Sequence, residues 1–141
     1  MNEKQLNIFA LTNDEALSKL LRSMNNCPVP DSLSSMFKKL EVFLAKTEEG
    51  ILERMKTVFP NIVFLSWDEK NLINTLRYCS NVPEKFTELT LQIPFVLFTE
   101  RILTPTQLIE VKRLKFRLFW RMPEDADTVL NIIQNFCTTY D

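Results

Sequence analysis

The 141-residue chain contains no histidine and a single glycine, Gly50. Without histidine it cannot build a Ser-His or Cys-His nucleophile pair, a histidine-ligated metal site or a histidine phosphorelay of its own. One glycine is too few for a GxGxxG dinucleotide fingerprint or a GxxxxGK phosphate-binding loop. The chain therefore lacks histidine-based catalysis and the usual binding loops for dinucleotides and nucleoside triphosphates.

Long apolar runs, cysteine pairs and excess charge are also missing. No apolar run approaches the roughly 18 residues that span a bilayer, and the N-terminus MNEKQLN has no signal-peptide pattern, so we expect a cytoplasmic protein. Cys27, Cys79 and Cys137 stand far apart without a CxxC pair, which favours reduced thiols over disulfides or a metal site. A net charge of -1 predicts neither a nucleic-acid nor a membrane partner. The length predicts one domain, residues 1–141, and no motif points to a cofactor.

Short apolar runs alternate with segments of helical periodicity, an order typical of βαβ units around a parallel sheet. Five runs have strand length and are rich in β-branched or aromatic residues, which predicts an α/β fold with five strands. The runs are LNIFAL (Leu6 to Leu11), LEVFLA (Leu40 to Ala45), NIVFLS (Asn61 to Ser66), PFVLFT (Pro94 to Thr99) and FRLFW (Phe116 to Trp120).

Helices are predicted after each strand, and polar residues mark where several of them begin. Asn13 or Asp14 can cap the first helix and Thr47 the second. The fourth helix follows Thr104 with Pro105 at its first position, and the fifth follows Pro123. The third should follow the third strand. The apolar residues of the fourth helix are Leu108, Ile109, Val111 and Leu114.

The segment between the first helix and the second strand, Asn25 to Lys39, is longer than the roughly 2 to 6 residues usual for such a connection. It contains the turn CPVPDS and then SLSSMFKKL, in which Asp31 or Ser32 could cap a short helix. Either the segment tucks its apolar side onto the edge of the domain, or it forms a partner-binding feature. The apolar residues of the predicted short helix are Leu33, Met36, Phe37 and Leu40.

The stretch LEVFLAKTEEGILERMKTVFPNIVFLS, together with IPFVLFTE and RLFWRMPEDADTVLNII, resembles the receiver domains of two-component response regulators. The resemblance rests on four features in order: the EVxxA strand before a Glu-rich helix, the PNIVFLS strand, the IPxxxxT strand, and a proline before the last helix. It covers nearly the whole chain apart from residues 25–39. It implies a flavodoxin-like doubly wound fold, with a parallel sheet of order 2-1-3-4-5 and five main helices.

The resemblance also places the family's phosphorylation site on residues that cannot perform its chemistry. The phosphoryl-accepting aspartate at the end of the third strand falls on Ser66, whose hydroxyl is a far poorer acceptor without a base. The acidic pair that holds Mg²⁺ falls on Thr12 and Asn13, and a shift by one residue would bring in only Asp14. The lysine that neutralises the phosphoryl charge falls on Met122. The sequence therefore predicts a pseudo-receiver that is neither phosphorylated nor an enzyme.

Two positions of the family's switch keep their residue types. Thr99 matches the hydroxyl residue that closes on the phosphoryl oxygens, and Phe119 matches the aromatic that then swings inward. Each also has an ordinary structural interpretation, because a threonine at a strand end commonly bonds local backbone and a central phenylalanine is usually core.

Without phosphorylation, the resemblance implies a signalling module that binds another signalling protein or a second copy of itself. The expected surface is the face built by the fourth helix, fifth strand and fifth helix. Arginine and tryptophan are favoured at interface centres, although a solvated basic edge with a buried tryptophan has the same sequence pattern. The candidate interface residues are Arg113, Lys115, Arg117, Trp120 and Arg121.

Two alternative functions would use the crevice at the carboxyl ends of the strands, where α/β sheets bind ligands. The crevice could bind a regulatory small molecule, or Ser66 with Asp68 and Glu69 could form a small catalytic site. A partly apolar pocket at the degenerate phosphorylation site would favour the small molecule. A crevice filled by side chains would favour the interaction module.

Overall fold

Five parallel strands form the centre of the molecule in the computed structural model. They are β1 (Gln5–Leu11), β2 (Lys39–Ala45), β3 (Ile62–Ser66), β4 (Phe95–Phe98) and β5 (Arg117–Phe119). Their order in the sheet is β2-β1-β3-β4-β5, and every neighbouring pair is parallel. Both β3 and β4 are buried at every position, as expected for strands with helices on both faces of the sheet. The predicted fold class and strand order are confirmed.

Three helices have defined bounds: α1 (Glu15–Ser23), α2 (Pro105–Arg113) and α3 (Ala126–Cys137). A short 3-10 helix, Met24–Asn26, extends α1. The predicted fourth and fifth helices are α2 and α3, while the predicted third helix lies outside the described residues. Within the described part of the chain, no helix combines the length and the apolar character needed to cross a membrane. The structure describes residues 5–31, 33–34, 36–47, 50, 53–54, 57–58, 60–66, 93–99, 102–113, 117–119 and 121–137.

Side-chain caps stabilise the first turns of α1 and α2. The carboxylate of Asp14, rather than Asn13, caps α1 by accepting the backbone N–H of Leu17 at 2.8 Å. At the start of α2 the bonds are reciprocal: the N–H of Gln107 donates to the Thr104 hydroxyl at 3.2 Å, and the N–H of Thr104 donates to the Gln107 side chain at 2.9 Å. Such a capping box satisfies two backbone donors that the helix leaves unpaired.

Successive side chains of β1 point to opposite faces of the sheet, so the strand contributes to two separate core clusters. Ile8 and Ala10 belong to the cluster that packs with α1 and α3, whereas Phe9 and Leu11 belong to the cluster that packs with α2. Ile109, one of the apolar residues of the predicted fourth helix, is 65% exposed. Leu108 and Val111 occupy the sheet-facing side of α2, which directs Ile109 toward solvent.

The segment 25–39 tucks its apolar side onto the domain. Leu33 is fully buried in the cluster with α1 and α3, and Phe37 packs against the same cluster. Its backbone forms consecutive turns, with the N–H of Leu33 donating to the carbonyl of Pro30 and the N–H of Phe37 donating to the carbonyl of Leu33, both at 2.9 Å. The described residues of this segment form turns rather than the predicted short helix, and Leu40 lies in β2.

Candidate functional site

Three small hydroxyl residues lie where neighbouring strands reach their carboxyl ends. Thr12 follows β1, Ser66 ends β3 and Thr99 follows β4, and the parallel register brings these strand ends to one edge of the sheet. We call these three residues the hydroxyl row. Their side chains are 2%, 6% and 0% exposed, respectively. A row of buried hydroxyls therefore occupies the edge at which this kind of sheet commonly binds ligands.

Hydrogen bonds within the site connect the hydroxyl row to itself and to the backbone. The hydroxyls of Thr12 and Ser66 are hydrogen-bonded to each other, and either can be the donor. The Thr12 oxygen also accepts the backbone N–H of Asp14 at 2.9 Å, and the N–H of Thr12 donates to the carbonyl of Ala45 at 3.0 Å. Ser66 is thus paired with another hydroxyl, which cannot act as a base at neutral pH. This arrangement does not activate Ser66 as a nucleophile or a phosphoryl acceptor.

The donor set at this edge does not fit Mg²⁺. This cation prefers carboxylate ligands in near-octahedral geometry, and the positions implied by the sequence resemblance offer two mutually bonded hydroxyls and the amide of Asn13. The nearby carboxylate of Asp14 serves as the cap of α1. In the described part of the chain, no group of three or more His, Cys, Asp or Glu side chains is placed to hold a metal ion. The catalytic pair proposed as an alternative, Asp68 and Glu69, lies outside the described residues.

Thr99 and Phe119 are connected through the backbone of the sheet. The N–H of Thr99 donates to the carbonyl of Phe119 at 2.9 Å. The Phe119 ring lies 5.8 Å from that of Phe98, which in turn lies 5.4 Å from the ring of Phe64. Phe119 is half-buried and packs against the cluster that includes α1 and α3. One side of the Phe119 ring therefore packs in the core, as is usual for a phenylalanine.

The outer side of Phe119 faces a cleft beside the edge strand β5. This cleft, which we call the β5 cleft, has a volume of about 640 Å³ and lies between α3 and the loop that carries Met122 and Pro123. Arg121 and Glu124 also line it. The lining residues include Met122 but no member of the hydroxyl row. The β5 cleft is therefore distinct from the small-molecule pocket considered at the strand ends.

Asp125 borders the β5 cleft and caps α3. The backbone N–H of Thr128 and the Thr128 hydroxyl both donate to one Asp125 carboxylate oxygen at 2.8 Å. These bonds, the backbone one first, hold the pKa of the Asp125 carboxyl below its usual value because they favour the charged form. The rim of the cleft thus carries a fixed negative charge at neutral pH.

Three of the five candidate interface residues lie in the described part of the chain, near the β5 edge of the sheet. Arg113 ends α2, Arg117 opens β5 and Arg121 follows β5, and all three are exposed. Lys115 and Trp120 lie outside the described residues. The structure adds two residues that the sequence reasoning missed, Ile102 at 96% and Ile109 at 65% exposure. Ile109 lies four residues after Pro105, the first residue of α2, and helical periodicity in the sequence gives no signal for its outward direction.

Order and direction of the strands, with helices on both faces of the sheet, define a flavodoxin-like doubly wound α/β protein. Comparison with solved structures narrows this class to the CheY-like receiver fold. A CheY-like protein, TadZ from Pseudomonas aeruginosa PAO1, superposes with a TM-score of 0.60 at 17% identity, over 93% of this chain and 98% of that one. The chemotaxis response regulator CheY4 of Vibrio cholerae gives 0.62 at 11% identity, over 94% and 99% of the two chains.

The same comparison includes a protein of different function. A cobalamin-binding protein from Desulfitobacterium hafniense DCB-2 superposes with a TM-score of 0.55 at 16% identity, over 94% of this chain and 58% of that one. At these identities the likeness concerns the fold alone. No protein-family model matches the sequence, and no curated protein is significantly similar to it.

Proposed function

We propose that this chain is a pseudo-receiver: a signalling interaction module of one domain that acts in the cytoplasm without being phosphorylated. The observation that carries the proposal is the end of β3, where Ser66 is buried and bonded to the Thr12 hydroxyl. A phosphoryl acceptor in this fold needs a carboxylate, a bound cation and a compensating positive charge. Met122 stands where the sequence resemblance implies the positive charge, and a thioether cannot provide one.

The proposed binding surface is the face formed by α2, β5 and α3, which we call the α2–β5–α3 face. It combines exposed arginines with an exposed isoleucine: Ile109 and Arg113 are one helical turn apart on α2, and Arg117 and Arg121 lie at the sheet edge. Apolar side chains surrounded by arginine are characteristic of protein-binding surfaces. The partner we propose is another signalling protein or a second copy of the chain.

Loss of the phosphorylation switch is tested by amide ¹H-¹⁵N NMR. The chain is titrated with Mg²⁺ and then with beryllofluoride, which mimics a phosphoryl group on a carboxylate. We expect no saturable shifts at Ser66, Thr99 or Phe119, because the acceptor position holds Ser66, whose hydroxyl is bonded to that of Thr12, and offers no carboxylate. Saturable shifts at these three residues would contradict the proposal and direct attention to Asp14 as the remaining nearby carboxylate.

The binding surface is tested with paired charge and apolar variants. Ile109→Asp and Arg121→Glu change the α2–β5–α3 face, whereas Lys46→Glu makes an equal charge reversal beyond β2 at the opposite edge of the sheet. Self-association is measured by sedimentation velocity over a range of concentrations, and binding to other proteins by affinity capture from lysate with each variant as bait. We expect the first two variants to lose association that wild type and Lys46→Glu retain. Equal association by all four proteins would refute the assignment of this face.

A further inference from the structure

A second groove lies beside α3, on the side facing the segment 25–39. It has a volume of about 680 Å³ and runs between α3 and the proline-containing turn 27–31. We call it the proline-turn groove. It shares a single lining residue, Asn131, with the β5 cleft, so the two depressions flank α3. The groove therefore does not belong to the α2–β5–α3 face.

The floor of the proline-turn groove is apolar and continuous with the core. Val29 from the turn and Ala126 and Leu130 from α3 line the groove, and all three are half-buried. The same three side chains pack against the cluster that contains α1 and α3. An apolar floor held by the core can receive an apolar side chain without rearranging.

The rim of the groove is acidic. Asp31 lies on the turn and Asp127 in the first turn of α3, and both are exposed. The described residues that line the groove include no lysine or arginine. Within the described part of the chain, neither carboxylate forms an ion pair or a side-chain hydrogen bond. The groove thus presents negative charge on both sides of an apolar floor.

The proline turn is held in place before any ligand binds. Pro28 and Pro30 restrict the backbone, and the N–H of Leu33 donates to the carbonyl of Pro30 at 2.9 Å. The N–H of Ser34 donates to the carbonyl of Asp31 at 3.3 Å. Leu33 itself is fully buried and anchors the segment to the core. A preformed groove lowers the entropic cost of binding, since little of the wall has to be ordered.

We propose that the proline-turn groove docks a basic segment of a partner protein, in which an apolar side chain is flanked by lysine or arginine. The apolar residue contacts Val29, Ala126 and Leu130, and the flanking cations lie beside Asp31 and Asp127. Charge complementarity selects this occupant over an acidic or neutral segment, because both rim charges have the same sign. The inference does not depend on the proposed function, since the groove and the α2–β5–α3 face are separate surfaces.

A second copy of this chain is a poorer occupant. The stretch RLKFRLFWR, residues 113–121, has the required mixture of apolar and basic residues. Part of it forms β5, which is hydrogen-bonded to β4 in register from Val96 with Arg117 to Phe98 with Phe119. If this stretch left the sheet to bind another copy, its own molecule would lose the hydrogen bonds between β5 and β4 and part of its core packing. This stretch of a second copy is therefore a poor occupant, and we assign the groove to a segment of another protein.

The first test selects random heptapeptides on phage against the intact chain. The counter-selection uses a double variant, Asp31→Asn with Asp127→Asn, that keeps the size of both side chains. We expect enriched peptides to carry an apolar residue next to lysine or arginine. Enrichment of acidic or uncharged peptides, or no difference between wild type and the double variant, would overturn the proposal.

The second test measures the affinity and the binding site of the best selected peptide. Loss of two exposed ion pairs should weaken binding by about five- to tenfold in the double variant. Ala126→Leu, which fills the floor without changing charge, should also weaken it. The matched control, Glu15→Gln with Glu124→Gln, removes two exposed acids elsewhere and should leave binding within about twofold of wild type. Far-UV circular dichroism and urea midpoints verify that every variant is folded.

NMR of the wild-type chain then distinguishes a docking site from general attraction to acidic surface. Saturable amide shifts at Val29, Asp127 and Leu130 support the proposal. Shifts spread equally to Glu15 and Glu124, or an equal loss of affinity in the control variant, would show that the peptide binds through net charge alone. Shifts of the groove residues that depend on the concentration of the chain without peptide would identify a second copy as the occupant and overturn the assignment to a partner. Loss of association in Ile109→Asp leaves these results unchanged, so the two proposals can fail separately.

Discussion

The hydrogen bond between the hydroxyls of Thr12 and Ser66 should be measurable as a coupling free energy. These residues are 54 positions apart in the sequence, and the bond joins the carboxyl ends of β1 and β3. If the hydroxyl row is a structural feature that replaces a charged site, removing either hydroxyl should lower the free energy of unfolding. Thr12→Val, Ser66→Ala and the double variant form the required cycle.

The expected magnitudes follow from the bonds that each variant removes. Ser66→Ala removes the shared bond and should cost about 1 kcal/mol. Thr12→Val removes the shared bond and the bond accepted from the Asp14 backbone N–H, so it should cost about 2 kcal/mol. The double variant loses the shared bond only once and should also cost about 2 kcal/mol, which leaves a coupling free energy of about 1 kcal/mol.

Urea unfolding monitored by far-UV circular dichroism gives the four free energies, provided that the dependence on urea is the same for each variant. Ser34→Ala is the matched control, because the Ser34 hydroxyl is exposed and donates to a nearby carbonyl, that of Asp31, at 2.9 Å. It should cost less than Ser66→Ala. A coupling below about 0.3 kcal/mol, or a more stable Ser66→Ala variant, would refute the view that this pair holds the strand ends together.

Three further variants test other parts of the structure. Leu33→Ala should lower the free energy of unfolding by about 2 to 5 kcal/mol, measured in urea, because the side chain is fully buried; a smaller loss would mean that the segment 25–39 is not anchored in the core. Thr104→Ala should cost about 1 kcal/mol by removing the cap of α2, whereas an unchanged urea midpoint would contradict the reciprocal bonds with Gln107. The bonds from Thr128 lower the pKa of Asp125 in the folded state. They therefore stabilise the fold at pH values above the unfolded-state pKa of about 4, and this contribution is lost as the pH falls through the folded-state pKa. The difference in urea midpoint between wild type and Asp125→Asn should therefore shrink between pH 6 and pH 3, and a difference that grows on acidification would contradict the assignment.

Local sequence patterns were sufficient for the elements and their order. The apolar runs predicted each strand to within one residue at either end where the neighbouring residues are described, because a buried parallel strand needs a short continuous apolar run. Asp14 and Thr104 marked where α1 and α2 begin, since capping depends on bonds three residues away in sequence. The resemblance to receiver domains supplied the strand order, which comparison of the folds confirms.

The same patterns were not sufficient for the direction of individual side chains. Ile109 has the spacing of a packed residue but faces solvent, because Leu108 and Val111 already fill the sheet-facing side of the nine-residue helix α2. Periodicity in so short a helix leaves its orientation about the axis undetermined. The degenerate phosphorylation positions and the role of the α2–β5–α3 face stay predictions, to be tested by the titrations and variants proposed for them.

By itself the sequence determined which residue types stand at the strand ends, and it predicted the fold class that the protein adopts. The chain has no histidine and a single glycine, and Ser66 ends an apolar run. These features depend only on residue types and their neighbours in sequence, so they can be read directly from the sequence. Only the tertiary structure decided that Thr12 and Ser66 bond to each other and that Asp31 and Asp127 border one groove. Each pair joins residues far apart in sequence, and their distance depends on how helices pack on the sheet. Local propensities carry no information about that packing.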